Sequence, residues 1–155
     1  MFLIVNITID SIDLDDYISM PENGSVLFKD TNITLQHMHS FIRNGGVFEN
    51  GTVVTPGSQN ISIVFENCNI KHSNSSYLFI SLNSETGANI QLNNNIFTGK
   101  LIGRCIHASD EGATKVNSLR IMNNLFPYQY NEWGSICNFK DVRYKVIKDN
   151  FNYSA

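Results

Sequence analysis

Asn89-Ile90-Gln91-Leu92-Asn93-Asn94-Asn95-Ile96-Phe97 alternates apolar and polar residues, runs through asparagines, and turns apolar again. The same figure recurs as Leu119-Arg120-Ile121-Met122-Asn123-Asn124-Leu125-Phe126 and as Tyr144-Lys145-Val146-Ile147-Lys148-Asp149-Asn150-Phe151. Earlier copies use Phe as the anchor: Phe65-Glu66-Asn67-Cys68-Asn69-Ile70, Phe48-Glu49-Asn50-Gly51-Thr52-Val53 and Phe28-Lys29-Asp30-Thr31-Asn32-Ile33. The anchors Phe28, Phe48, Phe65, Leu92, Ile121 and Ile147 lie 20, 17, 27, 29 and 26 residues apart. A period of roughly 20–30 residues marks a repeat architecture whose units bury their apolar faces on their neighbours. Each unit is strand-like, so the expected object is a β-solenoid with the six anchors stacked inside it.

Working outward, a second apolar step follows each anchor, at Ile33, Val53, Ile70, Ile96, Leu125 and Phe151. Asn, Asp, Cys or Gly lies between anchor and step, which predicts a sharp bend into a second strand. Third strands are expected within Tyr77–Leu82, Leu101–His107 and Gly134–Phe139. Three strands per coil, stacked about 4.8 Å apart, would give three parallel sheets and a rod on the order of 29 Å long for about six coils. An antiparallel sandwich would want hairpin signals every 8–12 residues or so. Asn23-Gly24 and Asn50-Gly51 fit that pattern, but the aligned repeats do not. No window keeps a helical apolar period with caps. Residues 1–25 read as an opening strand and a cap, with Asp10, Asp13, Asp15 and Asp16 as a solvated acidic stretch. Residues 26–155 read as the coils.

Composition limits function. Twenty-one asparagines suit a fold of short strands and tight corners, because Asn tolerates left-handed backbone. The net charge is −3 with no basic run, which argues against nucleic acid as a partner. Met1-Phe2-Leu3-Ile4-Val5-Asn6 is too short an apolar start for a signal peptide or a membrane span. Cys68, Cys105 and Cys137 form no metal-ligand spacing and read as buried thiols, with a Cys105–Cys137 bridge as the lesser reading. Seven Asn-x-Ser/Thr triplets follow from the composition.

The Val64-Phe65-Glu66-Asn67-Cys68-Asn69-Ile70 and Ile121-Met122-Asn123-Asn124-Leu125-Phe126 figures resemble those of the right-handed parallel β-helix family, the pectate-lyase-like superfamily. The resemblance spans roughly residues 26–155. It implies asparagines stacked at a bend and hydrogen-bonded along the rod, which amides spaced one strand apart can satisfy. Pro21–Phe28 and Gly45–Val53 are similar to the opening coils of bacteriophage tail-spike and tail-fibre proteins. Hydrolases and lyases of the superfamily carry paired acidic residues or an aspartate-bound calcium. This chain matches neither pattern.

Two segments carry candidate chemistry. Arg104-Cys105-Ile106-His107-Ala108-Ser109-Asp110-Glu111 brings a cation, an imidazole and two carboxyls together, and paired carboxyls can hydrolyse glycosidic bonds. Arg104, His107, Asp110 and Glu111 are therefore weak catalytic candidates against a plain solvated corner. Phe126-Pro127-Tyr128-Gln129-Tyr130-Asn131-Glu132-Trp133 carries two Tyr and the only Trp. Tyr128, Tyr130 and Trp133 would form an exposed platform for the C–H face of sugars, or else plug a sheet. Both segments border the third-strand sheet, so a ligand groove there is geometrically possible. His37 and His39 alternate on a strand without a third ligand, so no metal or cofactor is expected.

The function implied is a structural and receptor-recognition module of a phage or phage-like particle. It would bind host-surface polysaccharide without catalysis and be carried in the virion. A trimer, or continuation in a longer chain, would cover the last coil. A polysaccharide lyase or hydrolase, and an intracellular protein-binding β-helix, are the alternatives.

Overall fold

The computed structural model describes residues 2–5, 8–12, 18–36, 40–44, 48–49, 52–53, 59–72, 78–82, 87–108, 115–130, 132, 135–138 and 141–152. These hold sixteen strands and no helix: β1 (Phe2–Val5), β2 (Thr8–Ile12), β3 (Ile18–Ser19), β4 (Ser25–Lys29), β5 (Asn32–Leu35), β6 (Ser40–Asn44), β7 (Phe48–Glu49), β8 (Thr52–Val53), β9 (Ser62–Glu66), β10 (Asn69–His72), β11 (Leu78–Leu82), β12 (Ala88–Asn93), β13 (Ile96–Thr98), β14 (Ile106–Ala108), β15 (Lys115–Met122) and β16 (Asp141–Lys148). Three sheets are parallel throughout, in the orders β1-β4-β9-β12-β15-β16, β2-β5-β10-β13 and β3-β6-β11-β14. Successive strands therefore visit the sheets in turn, and each return is displaced by one strand. In the later passes single bridges at Leu125, Cys137 and Phe151 replace whole strands.

Register in the first sheet aligns Ile4, Phe28, Phe65, Leu92, Ile121 and Ile147. Phe28, Phe65, Leu92 and Ile121 are fully buried, and Ile147 is half-buried. The Phe28 and Phe65 rings stack with centroids 4.7 Å apart. Five of the six expected anchors thus share one row. Phe48 does not. It lies in β7, which pairs antiparallel with β8 (Phe48↔Val53), a two-stranded sheet apart from the other three. Asn50-Gly51 between the two strands is a strong hairpin signal, and it outweighs the likeness of Phe48 to the other anchors. The true interval from Phe28 to the next anchor is 37 residues.

The apolar steps also separate. Ile33, Ile70, Phe97 and Phe126 are buried. Each lies five residues after its anchor. Ile96, Leu125 and Phe151 lie four residues after theirs and are 45%, 43% and 65% exposed. Strand alternation sends neighbouring residues to opposite faces, so a one-residue difference reverses burial.

Residues 2–5, 8–12 and 18–19 pair with β4, β5 and β6 respectively. They supply the first strand of each sheet, and the regular sheets begin at Phe2 instead of residue 26. The third sheet is buried on both faces at its centre: Leu78, Phe79, Ile80, Ser81 and Leu82 are all inside. An apolar run of this kind reads as a strand covered on both sides.

The bend between the first and second sheets repeats closely. Asp30, Asn67, Asn94, Asn123 and Asp149 occupy it with φ of 52°, 55°, 57°, 55° and 58°. This left-handed region is strained for most side chains and tolerated by Asn and Asp. The next residue turns inward. Asn124 Nδ2 donates to Asn150 Oδ1 at 2.9 Å and to the Leu92 carbonyl at 2.7 Å. Asn95 Nδ2 donates to Asn124 Oδ1 at 3.0 Å and to the Phe65 carbonyl at 3.0 Å. The backbone N–H groups of Cys68, Asn95 and Asn124 donate to the Oδ1 of Asn95, Asn124 and Asn150. The amides thus satisfy main-chain groups that the bend removes from the sheets.

Candidate functional site

Arg104 and His107 are half-buried, His107 within β14 and in register with Ser81 of β11. Asp110 and Glu111 lie outside the described residues, as do His37, His39 and Trp133. The described residues hold no group of three His, Cys, Asp or Glu side chains able to bind a metal. On the third sheet, β11 offers no exposed face to a ligand.

The two tyrosines of the aromatic segment part company. Pro127-Tyr128-Gln129 makes a turn, with Gln129 at φ 51°. Tyr128 stands on it 74% exposed. Tyr130 is 3% exposed and belongs to the core, so its ring is not available as part of a surface platform. The Leu101 N–H donates to the Tyr130 carbonyl at 2.8 Å and the Glu132 N–H to the Leu101 carbonyl at 3.1 Å. These bonds hold the segment down while the turn lifts Tyr128 clear.

Inside, the Tyr130 hydroxyl lies 2.6 Å from His72 Nε2, and it also hydrogen-bonds the Cys105 thiol. His72 sits among Phe79, Phe97 and Tyr130, with ring centroids 5.5, 6.3 and 5.5 Å away. Burial without a charged partner lowers its pKa to about 3, because desolvation disfavours the imidazolium. His72 Nδ1 has no hydrogen-bond partner. Burial raises the pKa of both the Cys105 thiol and the Tyr130 hydroxyl. All three groups are neutral near pH 7, and all are sealed from solvent. They form a polar knot in the core and not a reaction centre. No disulfide joins Cys68, Cys105 and Cys137.

A depression lies next to Tyr128 in sequence, since its neighbour Pro127 is part of the lining. Gly99, Lys100, Leu101, Pro127 and Glu132 line a hollow of about 510 Å3. Gly99 has φ 83°, and a Cβ there would collide with the His72 carbonyl, so only glycine lets this segment close over β10. Pro127 gives apolar surface over the buried Leu101, while Lys100 and Glu132 bring one charge of each sign. Apolar surface with a few polar groups in a concavity is the general make-up of a small-ligand site.

His72 was legible from alternation alone: Asn69 and Lys71 are exposed, Ile70 and His72 buried. Lys100 and Glu132 carried no sequence signal, because their proximity depends on the pairing of two loops. Comparison with protein-family models, curated proteins and solved structures finds no match to the chain.

Proposed function

We propose that the chain is a right-handed parallel β-helix and a non-catalytic recognition module of a phage or phage-like particle, binding a host-surface glycan. The β-helix reading is supported by three parallel sheets visited in rotation and by the asparagine ladder at one bend. The viral setting is supported by the resemblance of the repeat figures to tail-spike coils. The glycan reading is carried by one observation: Tyr128, 74% exposed, on the turn that begins at Pro127, which with Gly99, Lys100, Leu101 and Glu132 lines a hollow. Its ring offers stacking, and Lys100 and Glu132 offer partners for hydroxyls. The exposed row Ile96, Leu125 and Phe151 supports association with further copies, since apolar rows of this kind mark contact surfaces.

Incubation with bacterial capsular and O-antigen polysaccharides tests the reading. Retention without cleavage, lost in Tyr128→Ala, is expected. New reducing ends or unsaturated products would make the chain an enzyme. Absence of retention across the panel would remove the glycan. Light scattering tests the assembly, and a monodisperse monomer would contradict it.

A further inference from the structure

Two exposed rows flank the bend between the first and second sheets. One holds the left-handed residues Asp30, Asn67 and Asn94, and the other holds Asn32, Asn69 and Ile96. Between them Thr31, Cys68 and Asn95 turn inward and are buried. The rows are the walls of a groove of about 440 Å3, with Cys68 in its lining. Amides bond along each wall: Asn67 Nδ2 donates to Asp30 Oδ1 at 2.6 Å, and Asn69 Nδ2 to Asn32 Oδ1 at 2.8 Å. An amide carries two N–H donors and an oxygen with two lone pairs, so each pairing leaves groups free to face a ligand. The side-chain amide of Asn94 makes no hydrogen bond to a described residue.

We propose that this groove binds a run of neutral or amino sugars. Sugar hydroxyls both donate and accept, and these walls do the same at successive strand spacings. Ile96 closes one end with an apolar surface for a C–H face. The lining holds one carboxylate, Asp30, and neither Lys nor Arg. An acidic sugar would meet that carboxylate with no cation in the lining to offset it, whereas an ammonium-bearing sugar would be attracted. The inference rests on the glycan reading above. It narrows the ligand class and adds a contact surface separate from Tyr128.

Backbone and side-chain amide NMR tests it, with cellohexaose, maltohexaose and a chitosan hexamer as probes and hexagalacturonate as the acidic counterpart. The signals of Asn67, Asn69 and Asn94 are expected to move with the first three and not with the fourth. Asn94→Gly keeps the left-handed backbone and removes the amide. It should weaken binding of the probe that shifts these signals most by about tenfold, the effect of one or two lost hydrogen bonds. Asn123→Gly makes the same change one strand further along, outside the groove, and should leave binding intact. Equal binding by the two variants, or equal shifts with hexagalacturonate, overturns the proposal. Shifts confined to residues 99–101 and 127–132 overturn the groove and leave the glycan reading standing. Silence with every probe overturns both.

Discussion

Asparagine does three jobs in this chain, and its position decides which. At Asn67, Asn94 and Asn123 it accepts positive φ. One residue later, at Asn95, Asn124 and Asn150, its amide replaces lost sheet bonds. At Asn32 and Asn69 it pairs on the surface. These jobs have different energies. Asn124→Ala would orphan the Asn95 N–H and the Leu92 carbonyl inside the protein, and each buried orphan costs about 1–3 kcal/mol. Asn32→Ala exposes its partners to water and should cost roughly 0.5 kcal/mol or less. Urea unfolding of the two variants, side by side, measures the gap. Similar losses would mean that the ladder is ornamental. His72 carries the second residue-scale prediction. Its pKa is about 3 when folded against 6.5 when free. Between these values the unfolded chain binds a proton that the folded chain refuses. Stability is therefore full above pH 6.5 and falls toward pH 3, by about 1.4 kcal/mol per pH unit. Carboxylates titrate in the lower part of that window, so the His72 contribution is the difference in slope between the parent and His72→Leu. The variant also takes one of its two partners from the Tyr130 hydroxyl, so it starts below the parent above pH 6.5, and the gap narrows as the pH falls. Parallel pH profiles would show that His72 is not the group responsible.

At the scale of elements, strand β16 is unlike its neighbours. Register places Val26, Ile63, Ile90, Leu119 and Lys145 in one row. The first four are buried, whereas Lys145 is exposed. A charge at a core-facing position of an edge strand discourages another strand from pairing there, because pairing would bury the ammonium. Lys145→Leu should remove that obstacle. Time-resolved light scattering is expected to show faster self-association than in the parent, with a rise in large aggregates. Unchanged scattering would mean that Lys145 does not guard this edge. The hairpin β7–β8 is the other irregular element. It inserts between β6 and β9, and it lengthens one repeat without disturbing register, since Phe28 and Phe65 still align.

At the scale of the whole molecule, one apolar column spans the sheets. Phe28 and Phe65 stack at 4.7 Å, Phe41 and Phe79 at 5.9 Å, and Phe97 and Phe126 at 4.7 Å, with a tilted contact from Phe65 to Phe79 and an edge-on one from Phe79 to Phe97. Leu92 sits in the middle of this column, between Phe65 and Ile121 in register, with no exposed surface. Leu92→Ala should cost about 2–5 kcal/mol through lost burial and a residual cavity. Chemical denaturation reads this directly, and a loss under about 1 kcal/mol would mean that neighbouring rows collapse into the space.

The sequence by itself determined the repeat, the strand class and the chemistry of the bend. Those depend on local rules: alternation sends residues to opposite faces, and Asn accepts left-handed backbone wherever it stands. It therefore yielded the aligned anchors Phe28, Phe65, Leu92, Ile121 and Ile147, and a buried Cys68 and Cys105. Only the tertiary structure decided which copies of the figure count. Phe48 has the right neighbours but folds on Val53, because a two-residue connection closes faster and at less entropic cost than a return across a full repeat. Tertiary structure also decided which aromatic residues face water. Tyr128 and Tyr130 are chemically alike and two residues apart, yet one turn between them puts Tyr130 on His72 and leaves Tyr128 in solvent. The amide groove belongs to the same class: its walls come from residues 37 and 27 positions apart in sequence, and parallel stacking alone makes them neighbours.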